Sequence, residues 1–508
     1  MLFPQLFRQS AARTPEKAAV VDLGSEREFT YRELAERVYA LANGLREHGV
    51  ERGDRVAVCM GNRPENVMTF LATQFVGVVA VPFNFRVAAD GVTYHVRDSG
   101  ADLLLYDALS RDAVEAAADS LDCDLCYVGD DTSAEAIPFD ALLDAPADEP
   151  EIDATSEDAS VVLYSSGTTG DPKGIPLDHR ATTARALINA MGQRYYLGET
   201  IIGVMPLYHT VGLHGVLCDA LGVSGTYLCM PDFDPETCVR AIPEWGVTAL
   251  HEAPTIFSQY LGTDAIDEVD VSSVRAVGYS GAPMSSDLFD RVVETFDPDH
   301  IANLYGTTEA YGTTAYVGLG PDDDPSTTGP ANVFYETRIV DVDGDPDDEV
   351  EAGQEGELIV NTDSPVAFDG YLNKPERTAE VIRDGWFFTG DAAYENDDGN
   401  IVITGRADDM LISGGENIHP ANVEDVLASH PKIRDVGVVG VADEEWGEIV
   451  KAFVVADDGL TVEELEEWCL DNDGLANFKR PREYEFLEEL PRNPSGKIMR
   501  YKLRSEEE

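Results

Sequence analysis

The chain has 508 residues, which predicts two to three domains, and its apolar share of 43% is enough for a sizeable hydrophobic core. Its charge balance is strongly acidic, with 96 Asp and Glu against 36 Lys and Arg and a formal net charge of -60. Because this balance leaves no basic patch to neutralise phosphates, we do not expect the chain to bind nucleic acid.

The acidic residues are spread along the whole chain rather than gathered into one tail, which argues against a disordered acidic tail. Two explanations remain, a surface for a basic partner and adaptation to concentrated salt, which shortens charge repulsion to a few Å at about 1 M. Only eight lysines occur in the chain. Because this scarcity resembles proteins of organisms that keep salt inside the cell, we favour a halophilic, archaeal source.

The seven cysteines are scattered and odd in number, which is not the pattern of a disulfide framework and indicates a reducing, cytoplasmic location. Cys123 and Cys126 form one C-x-x-C, but no second pair or nearby His completes a zinc site. Arg8 and Arg13 are not followed by the apolar segment of a signal peptide. The longest apolar stretch, Met68–Phe83, is too short for a membrane span.

Hydrophobic periodicity predicts alternating helices and strands in the first part of the chain. Thr30–His48 reads as a helix, Arg55–Met60 as a buried strand, Glu65–Gly77 as a second helix and Val79–Pro82 as a second strand. Such alternation predicts a parallel sheet covered by helices.

The character of the sequence changes from about Phe334 to short strands with turns, such as Arg338–Val342 and Gly356–Val360. The last hundred or so residues, after Arg406, read as a small α+β unit. Its predicted elements are the helices Asn422–Ser429 and Thr461–Asp471 and the strands Val436–Val441 and Lys451–Val455.

A Gly-rich segment follows the short apolar run Ser160–Tyr164, and it reads Ser165-Ser166-Gly167-Thr168-Thr169-Gly170-Asp171-Pro172-Lys173-Gly174. The glycines allow tight turns that present N–H groups to an anion, hydroxyls add donors, and Lys173 adds a positive charge. A flexible linker has no use for one of eight lysines beside a proline. The segment therefore predicts a triphosphate-binding loop, distinct from G-x-x-x-x-G-K-[ST] because Gly174 follows the lysine.

Five segments resemble sequence motifs of the adenylate-forming superfamily of AMP-binding enzymes, and they occur in the order in which that superfamily has them. The superfamily includes acyl- and aryl-CoA synthetases, luciferases and adenylation domains. Besides the Gly-rich loop they are Asn303-Leu304-Tyr305-Gly306-Thr307-Thr308-Glu309, Phe388-Thr389-Gly390-Asp391, Gly405-Arg406-Ala407-Asp408-Asp409 and Pro494-Ser495-Gly496-Lys497. The resemblance implies an α/β fold. Its parts are an N-terminal domain over 1–405, with parallel sheets and a distorted β-barrel, a hinge over 406–409 and a small mobile α+β domain over 410–508.

The resemblance implies an ATP-dependent carboxylic acid–CoA ligase, which forms an acyl-adenylate, releases pyrophosphate and passes the acyl group to coenzyme A. Catalysis in such a reaction rests on positioning and electrostatics. The implied catalytic residues are Lys497, Thr308, Glu309 and His209, with Glu309 also as the Mg²⁺ ligand. The implied ATP-binding residues are Ser165, Ser166, Gly167, Thr168, Thr169, Gly170, Lys173, Tyr305, Gly306, Thr307, Asp391 and Arg406.

Within the superfamily the sequence is most similar to aryl-CoA ligases of the benzoate and chlorobenzoate type. This likeness places an acyl pocket near Met205, His209, Thr210, His251, Ser280 and Leu304. His251 and Ser280 stand where that type carries apolar groups. A buried polar group needs a partner, so the acid carries a hydroxyl or second polar group, or water fills the space.

The thiol site and the hinge are also implied by the resemblance. Trp446, Phe478 and Arg480 match residues that hold the nucleotide part of coenzyme A, and Asp408 is the implied pivot of the C-terminal domain. The expected partners are an aryl or short- to medium-chain acid, ATP and coenzyme A. The expected oligomeric state is a monomer or a homodimer. Two alternatives remain: an enzyme that loads a carrier-protein thiol, and a nucleotide-binding protein without catalysis.

Overall fold

The computed structural model describes residues 1–130, 136–165, 172–320, 323–342, 344–413, 416–443, 446–457, 459–472, 475–492 and 498–505. At seven of these positions only the backbone is described: Asp408, Ile412, Glu416, Asn417, Asp471, Tyr501 and Ser505. The chain divides into two units. The larger unit is formed by Met1–Ser165, Lys173–Glu336 and Val360–Phe387, and the smaller unit mainly by Thr337–Ile359 and Phe388–Glu508.

The larger unit contains an eight-stranded sheet. Its central strands are parallel and its two edge strands antiparallel. Most of its central strands are buried, as expected for parallel strands covered on both faces. The order across the sheet is Arg27–Thr30, Ala18–Asp22, Thr226–Cys229, Thr200–Gly203, Ala249–Glu252, Ala276–Ser280, His300–Tyr305 and Thr314–Val317.

A second sheet of the larger unit has seven strands, six of them parallel. The seventh, Lys173–Asp178, pairs antiparallel with Ala159–Ser165, so these two strands form a hairpin around the Gly-rich loop. The order is Ile137–Pro138, Asp124–Val128, Leu103–Asp107, Arg55–Cys59, Val79–Pro82, Ala159–Ser165 and Lys173–Asp178. Short strands also occur at Thr327–Gly329 and Ile382–Arg383.

Helices cover these sheets, and the helix predicted over Thr30–His48 is found at Tyr31–Glu47. It begins at a capping box in which Thr30 accepts from the Glu33 N–H and the Glu33 carboxylate accepts from the Thr30 N–H. The other helices of the larger unit are Phe3–Arg13, Pro64–Val76, Ala89–Ser99, Arg111–Ala117, Phe139–Leu142, His179–Gly192, the π-helix Val211–Cys218, Asp219–Gly222, Pro235–Trp245, Pro254–Tyr260, Ser286–Phe296, Pro375–Val381 and the 3₁₀ turns Ala118–Ser120 and Asp264–Asp267.

The smaller unit contains two sheets. The first includes the strands Thr337–Val340, Gly356–Asn361, Trp386–Glu395 and Ile401–Arg406, each of which pairs with the next. The second is ordered Glu416–Ile418, Leu411–Ser413, Gly447–Ala456 and Ile433–Asp443, with Glu483–Phe486 pairing parallel to Gly447–Ala456. Its helices are Pro420–Ala428, Val462–Asp471 and Arg500–Ser505, with 3₁₀ turns at Ala407–Asp409 and Asn477–Lys479.

The predicted α/β class is confirmed: parallel sheets covered by helices lie in the N-terminal part and an α+β unit in the C-terminal part. The predicted strands Val436–Val441 and Lys451–Val455 are found inside the longer strands Ile433–Asp443 and Gly447–Ala456. Among the described residues, no helix is long and apolar enough to cross a membrane.

Candidate active site

The hairpin around the Gly-rich loop closes at the pair Ser165 and Lys173, which lie opposite each other in register. Both ends of the loop are therefore fixed on one edge of the seven-stranded sheet. The predicted nucleotide-binding residues Ser166, Gly167, Thr168, Thr169 and Gly170 lie outside the described residues. Ser165 Oγ is buried and has no hydrogen-bond partner among the described residues.

Lys173 is held by an aromatic side chain that the sequence analysis did not single out. Its Nζ lies 4.7 Å from the centroid of the Tyr371 ring and 3.5 Å from the Tyr371 hydroxyl. An ammonium at this distance from a ring face is attracted by the ring quadrupole. Tyr371 therefore keeps the lysine of the Gly-rich segment beside the edge of the sheet.

The same tyrosine contacts Glu309, the implied Mg²⁺ ligand. The Tyr371 hydroxyl donates a 2.8 Å hydrogen bond to Glu309 Oε1, although the two residues are 62 positions apart. Glu309 is buried, and its backbone carbonyl accepts from the Phe368 N–H at 2.9 Å. Lys173, Tyr371 and Glu309 thus form one contiguous polar line, and this long-range contact has no local signal in the sequence.

Glu309 and Thr308 follow the strand His300–Tyr305 in a tight turn. The Thr307 N–H donates to the Ala310 carbonyl, and the Ala310 N–H donates back to Thr307 Oγ1, each at 3.1 Å. A Cβ on Gly306 would lie 2.4 Å from the Gly312 nitrogen, so only glycine fits there. Tyr305, the last residue of the strand, is partly exposed. The turn therefore holds the predicted residues 305–309 in one rigid segment.

A fully buried arginine, Arg185, which the sequence analysis did not single out, also holds this turn in place. The Arg185 guanidinium donates to the carbonyls of Thr308 at 3.0 Å and Glu309 at 3.2 Å, and twice to that of Val366. It also donates to Thr210 Oγ1 at 3.3 Å. Burial lowers its pKa to about 10, so it stays protonated at neutral pH. Arg185 connects the turn to the predicted acyl pocket.

The predicted acyl-pocket residues lie mainly at the carboxyl ends of neighbouring parallel strands, where open α/β sheets bind their ligands. His251, Ser280 and Leu304 are on three adjacent strands, with Ser280 opposite Leu304 in register. Met205, His209 and Thr210 follow the strand Thr200–Gly203. The structure therefore gathers these residues in the larger unit.

His251 and Ser280 are in direct contact, with 3.1 Å between His251 Nε2 and Ser280 Oγ. His251 Nδ1 lies 3.5 Å from the Gly215 carbonyl oxygen, so Nδ1 carries the proton and Nε2 accepts from the Ser280 hydroxyl. Burial lowers the pKa of His251 to about 4, which makes the ring neutral at pH 7.

The two other histidines differ in their surroundings. His209 is half-buried beside the Tyr208 ring, with ring centroids 4.7 Å apart. His214 is fully buried, and its Nδ1 lies 3.1 Å from Thr210 Oγ1. His209 is therefore the more accessible of the two.

In the smaller unit, Asp391 and Arg406 lie opposite each other on two antiparallel strands. Arg406 Nη1 donates to Asp391 Oδ1 at 2.9 Å and to the Thr389 carbonyl at 3.0 Å. Gly390 has a φ of 71°, and a Cβ there would lie 2.4 Å from Arg406 Nη2. The two predicted ribose-binding residues therefore form an ion pair, and the absence of a side chain at Gly390 leaves space for the Arg406 guanidinium.

The predicted CoA-binding residues are also in the smaller unit. Trp446 precedes the strand Gly447–Ala456 and is 50% exposed, and Phe478 in the turn Asn477–Lys479 is 42% exposed. Arg480 Nε donates to Asn477 Oδ1 at 2.9 Å. Asp408 lies in the turn Ala407–Asp409, where only its backbone is described, and Lys497 lies outside the described residues.

Comparisons with known proteins agree with this architecture. A family model described as AMP-binding enzyme matches residues 7–372, and one described as AMP-binding enzyme C-terminal domain matches residues 422–497. A 4-chlorobenzoate–CoA ligase from an Arthrobacter species is 35% identical over 504 residues, which cover 98% of this chain and 94% of that protein.

Two solved structures extend the comparison. ATP-bound MatB from Rhodopseudomonas palustris has a TM-score of 0.87 at 28% identity and covers 100% of this chain and 99% of its own. The o-succinylbenzoate CoA synthetase of Bacillus subtilis, in complex with its acyl-adenylate intermediate, has a TM-score of 0.85 at 27% identity and covers 98% and 97%. The chain thus belongs to the AMP-binding enzyme family and, within it, to the AMP-forming acid–CoA ligases.

Proposed function

We propose that this ligase activates an aryl or short- to medium-chain carboxylic acid with ATP and Mg²⁺ and transfers the acyl group to free coenzyme A. The observation that carries the proposal is the polar line from Lys173 through Tyr371 to Glu309, which joins the Gly-rich hairpin to the turn beside the acyl-pocket strands. Phosphates and a carboxylate must meet at such a place for adenylation.

In this proposal the carboxylate attacks the α-phosphorus of ATP and pyrophosphate leaves with the electrons of the broken P–O bond. Charge rises on the phosphate oxygens in the transition state, so fixed donors and cations accelerate the step. Thr308 donates to the α-phosphate, Lys173 neutralises the leaving pyrophosphate, and Lys497 bridges carboxylate and α-phosphate. Asp391 and Arg406 bind the ribose hydroxyls, and Tyr305 lies against adenine.

The residues around Glu309 fit a magnesium ion. The ion prefers oxygen ligands and is usually held by one or two carboxylates together with substrate phosphates. Glu309 is buried, and the bond from Tyr371 fixes the orientation of its carboxylate. No cluster of three or more His, Cys, Asp or Glu side chains that could hold a metal occurs in the part of the chain that the structure describes. Glu309 would hold the ion, which would supply charge neutralisation on the phosphates.

The second half-reaction uses the smaller unit. The exposed rings of Trp446 and Phe478 offer stacking surfaces for the adenine of coenzyme A, and Arg480 pairs with its phosphates. Because one small domain supplies both Lys497 and this thiol-binding face, we place a rotation at Asp408 between the two steps. The domains proposed for this motion are 1–405 and 410–508, with the hinge at 406–409.

Acid-dependent exchange of pyrophosphate into ATP tests the first half-reaction. A panel of aryl and aliphatic acids in molar KCl is expected to give exchange with at least one acid, whereas no exchange with any acid supports a nucleotide-binding protein without catalysis. Thioester formed with free coenzyme A, and no carrier protein present, decides against the carrier-loading alternative.

The salt environment and the cellular compartment of the enzyme are inferred from its net charge and its cysteines. A net charge of -60 with only eight lysines supports adaptation to high salt. All seven cysteines are free thiols, six of them buried, which supports a reducing, cytoplasmic compartment.

A further inference from the structure

The side chain of Gln193 lies on the face of the eight-stranded sheet that carries the acyl pocket. Gln193 follows the helix His179–Gly192 and is fully buried. A Cβ built on Gly278 would lie 1.9 Å from Gln193 Nε2, so the amide rests directly on the backbone of that glycine. The absence of a side chain at Gly278 makes the space for it.

Strand register places this amide next to His251 and Ser280. Gly278 lies opposite His251 on the neighbouring parallel strand, and Ser280 is two residues further along the same strand. Residues in register, and residues two apart on one strand, share a face of the sheet. The Gln193 amide, the His251 ring and the Ser280 hydroxyl therefore lie together on one face.

The amide has hydrogen-bonding capacity that the described residues do not use. Neither Gln193 Oε1 nor Nε2 has a partner among them, although both atoms are buried. The backbone of Gln193 is fixed, since its N–H donates to the Asn189 carbonyl at 2.8 Å and its carbonyl lies 2.6 Å from His300 Nε2. A buried polar group without a partner is destabilising, so each such group needs an explanation, and a bound ligand is one of them.

Ser280 adds an acceptor at the same place. Because Nδ1 of His251 faces a carbonyl oxygen, its Nε2 accepts from the Ser280 hydroxyl. The Ser280 hydroxyl proton is then engaged in the hydrogen bond to His251. The lone pairs of Ser280 Oγ can therefore accept a hydrogen bond from a ligand. Gln193 and Ser280 together offer two acceptor oxygens and one NH₂ donor.

We propose that the acyl group of the substrate carries an uncharged hydroxyl or amino substituent, which donates to Ser280 Oγ or Gln193 Oε1 and, as a hydroxyl, accepts from Gln193 Nε2. This inference rests on the proposed acid–CoA ligase function and names its substrate class. A second carboxylate fits this face less well, since Gln193 and Ser280 are uncharged and the buried His251 ring is neutral.

The test compares size-matched acids in the pyrophosphate exchange assay with the full-length protein. The isomeric hydroxybenzoates and aminobenzoates are set against the corresponding chlorobenzoates, with benzoate as reference. We expect at least one hydroxyl- or amino-substituted acid to exceed its chloro analogue by about tenfold or more in kcat/KM, because a pocket built to hydrogen-bond a substituent rejects the analogue that lacks it.

The variant Gln193→Leu removes the amide at similar volume. It is expected to abolish this preference, so that the ratio of kcat/KM between the polar acid and its chloro analogue falls to about one. Gln74→Leu is the matched control, since Gln74 is equally buried but exchanges two hydrogen bonds with Ser160. The control is expected to lower the unfolding temperature and leave the preference intact, whereas Gln193→Leu does not lower the unfolding temperature.

The outcomes separate the inference from the function on which it rests. Exchange with no acid of any class contradicts the ligase proposal itself. Exchange in which chloro acids equal or exceed their polar analogues contradicts the substrate class. A Gln193→Leu variant that unfolds at a lower temperature and loses exchange equally with every acid makes Gln193 a structural residue and overturns the inference.

Discussion

The Tyr371 hydroxyl donates a 2.8 Å hydrogen bond to Oε1 of Glu309. The ring of the same tyrosine lies 4.7 Å from Lys173 Nζ. One side chain thus orients both the carboxylate proposed to hold Mg²⁺ and the lysine proposed to neutralise pyrophosphate. We therefore propose that Tyr371 is a positioning residue for adenylation.

Replacing Tyr371 by Phe keeps the ring beside Lys173 and removes the bond to Glu309. A hydrogen bond to a charged group contributes about 1.5–3 kcal/mol, so the rate of adenylation is expected to fall by about tenfold or more. Pyrophosphate exchange measured against Mg²⁺ concentration checks this, and we expect the apparent Mg²⁺ requirement to rise. Conversion of supplied acyl-adenylate to thioester is expected to stay near the wild-type rate.

The matched control is Tyr31→Phe, which removes a buried hydroxyl that donates to the Gly225 carbonyl at 2.8 Å, in contact with none of the proposed site residues. This variant is expected to lose stability without changing the Mg²⁺ requirement. If Tyr371→Phe shows the wild-type exchange rate at every Mg²⁺ concentration, Tyr371 does not position Glu309.

Asp219 provides a prediction about pH. It is fully buried, its Oδ2 accepts from the Asn189 side chain, and burial raises the pKa of its carboxyl well above the usual range. The folded protein keeps this proton while the unfolded chain releases it above about pH 4, so this residue lowers stability as pH rises, by about 1.4 kcal/mol per pH unit until its folded-state pKa.

Asp219→Asn keeps the oxygen that accepts from Asn189 and removes the titration. Its free energy of unfolding is expected to exceed that of the wild type, by a margin that grows as pH rises above about 4, until the folded-state pKa of Asp219 is reached. Chemical unfolding of both proteins across this range measures the margin. Asp158→Asn is the contrasting variant, since Arg52 lowers the pKa of the partly exposed Asp158 carboxyl and loss of this carboxylate is expected to be slightly destabilising. A margin for Asp219→Asn that shrinks as pH rises contradicts the assignment.

Salt dependence follows from the net charge of -60. Repulsion between like charges extends about 10 Å at 0.1 M salt and about 3 Å at 1 M. We expect the unfolding temperature and the exchange activity to rise strongly from low to molar KCl. A flat or falling curve would remove the salt-adapted explanation and favour a surface that binds a basic partner.

Local patterns were enough to predict much of the fold. The spacing of Leu34, Val38, Leu41 and Leu45 predicted the helix found at Tyr31–Glu47, in which those four side chains are fully buried. The predicted strand Arg55–Met60 is found at Arg55–Cys59. Periodicity carries this information because one face of each element is buried.

Contacts between distant residues could not be predicted in the same way. In the sequence, Arg185 looks like one more charged residue on a helix. In the structure it is fully buried and donates to carbonyl oxygens of residues more than 120 positions away in the sequence. Gln193 reads as a helix-end residue, and only the register of two strands places it beside His251. The motifs were enough to propose which segments carry the site, whereas the contacts of Tyr371, Arg185 and Gln193 depend on tertiary packing.

Lys497 is proposed to act in only one of the two half-reactions. Lys497→Ala is expected to slow adenylation by about 10²-fold or more, as for loss of a preorganised charge in the transition state. It is expected to convert supplied acyl-adenylate and coenzyme A to thioester at a substantial rate. Lys502→Ala, a nearby lysine outside the proposed site, is the control. Equal loss of both half-reactions in a folded Lys497→Ala protein would show that the assigned role is wrong.

The most direct test of the two-step mechanism is a single-turnover experiment with purified protein in molar KCl. The enzyme is mixed with acid and ATP·Mg²⁺. One sample is quenched at once, and a second is chased with free coenzyme A before it is quenched, and acyl-adenylate, pyrophosphate, AMP and thioester are quantified in both. The account predicts acyl-adenylate and pyrophosphate in equal amounts before the chase, and AMP and acyl-CoA in the same amounts after it. Release of ADP and phosphate, or an acyl-adenylate that persists when coenzyme A is added, would contradict it.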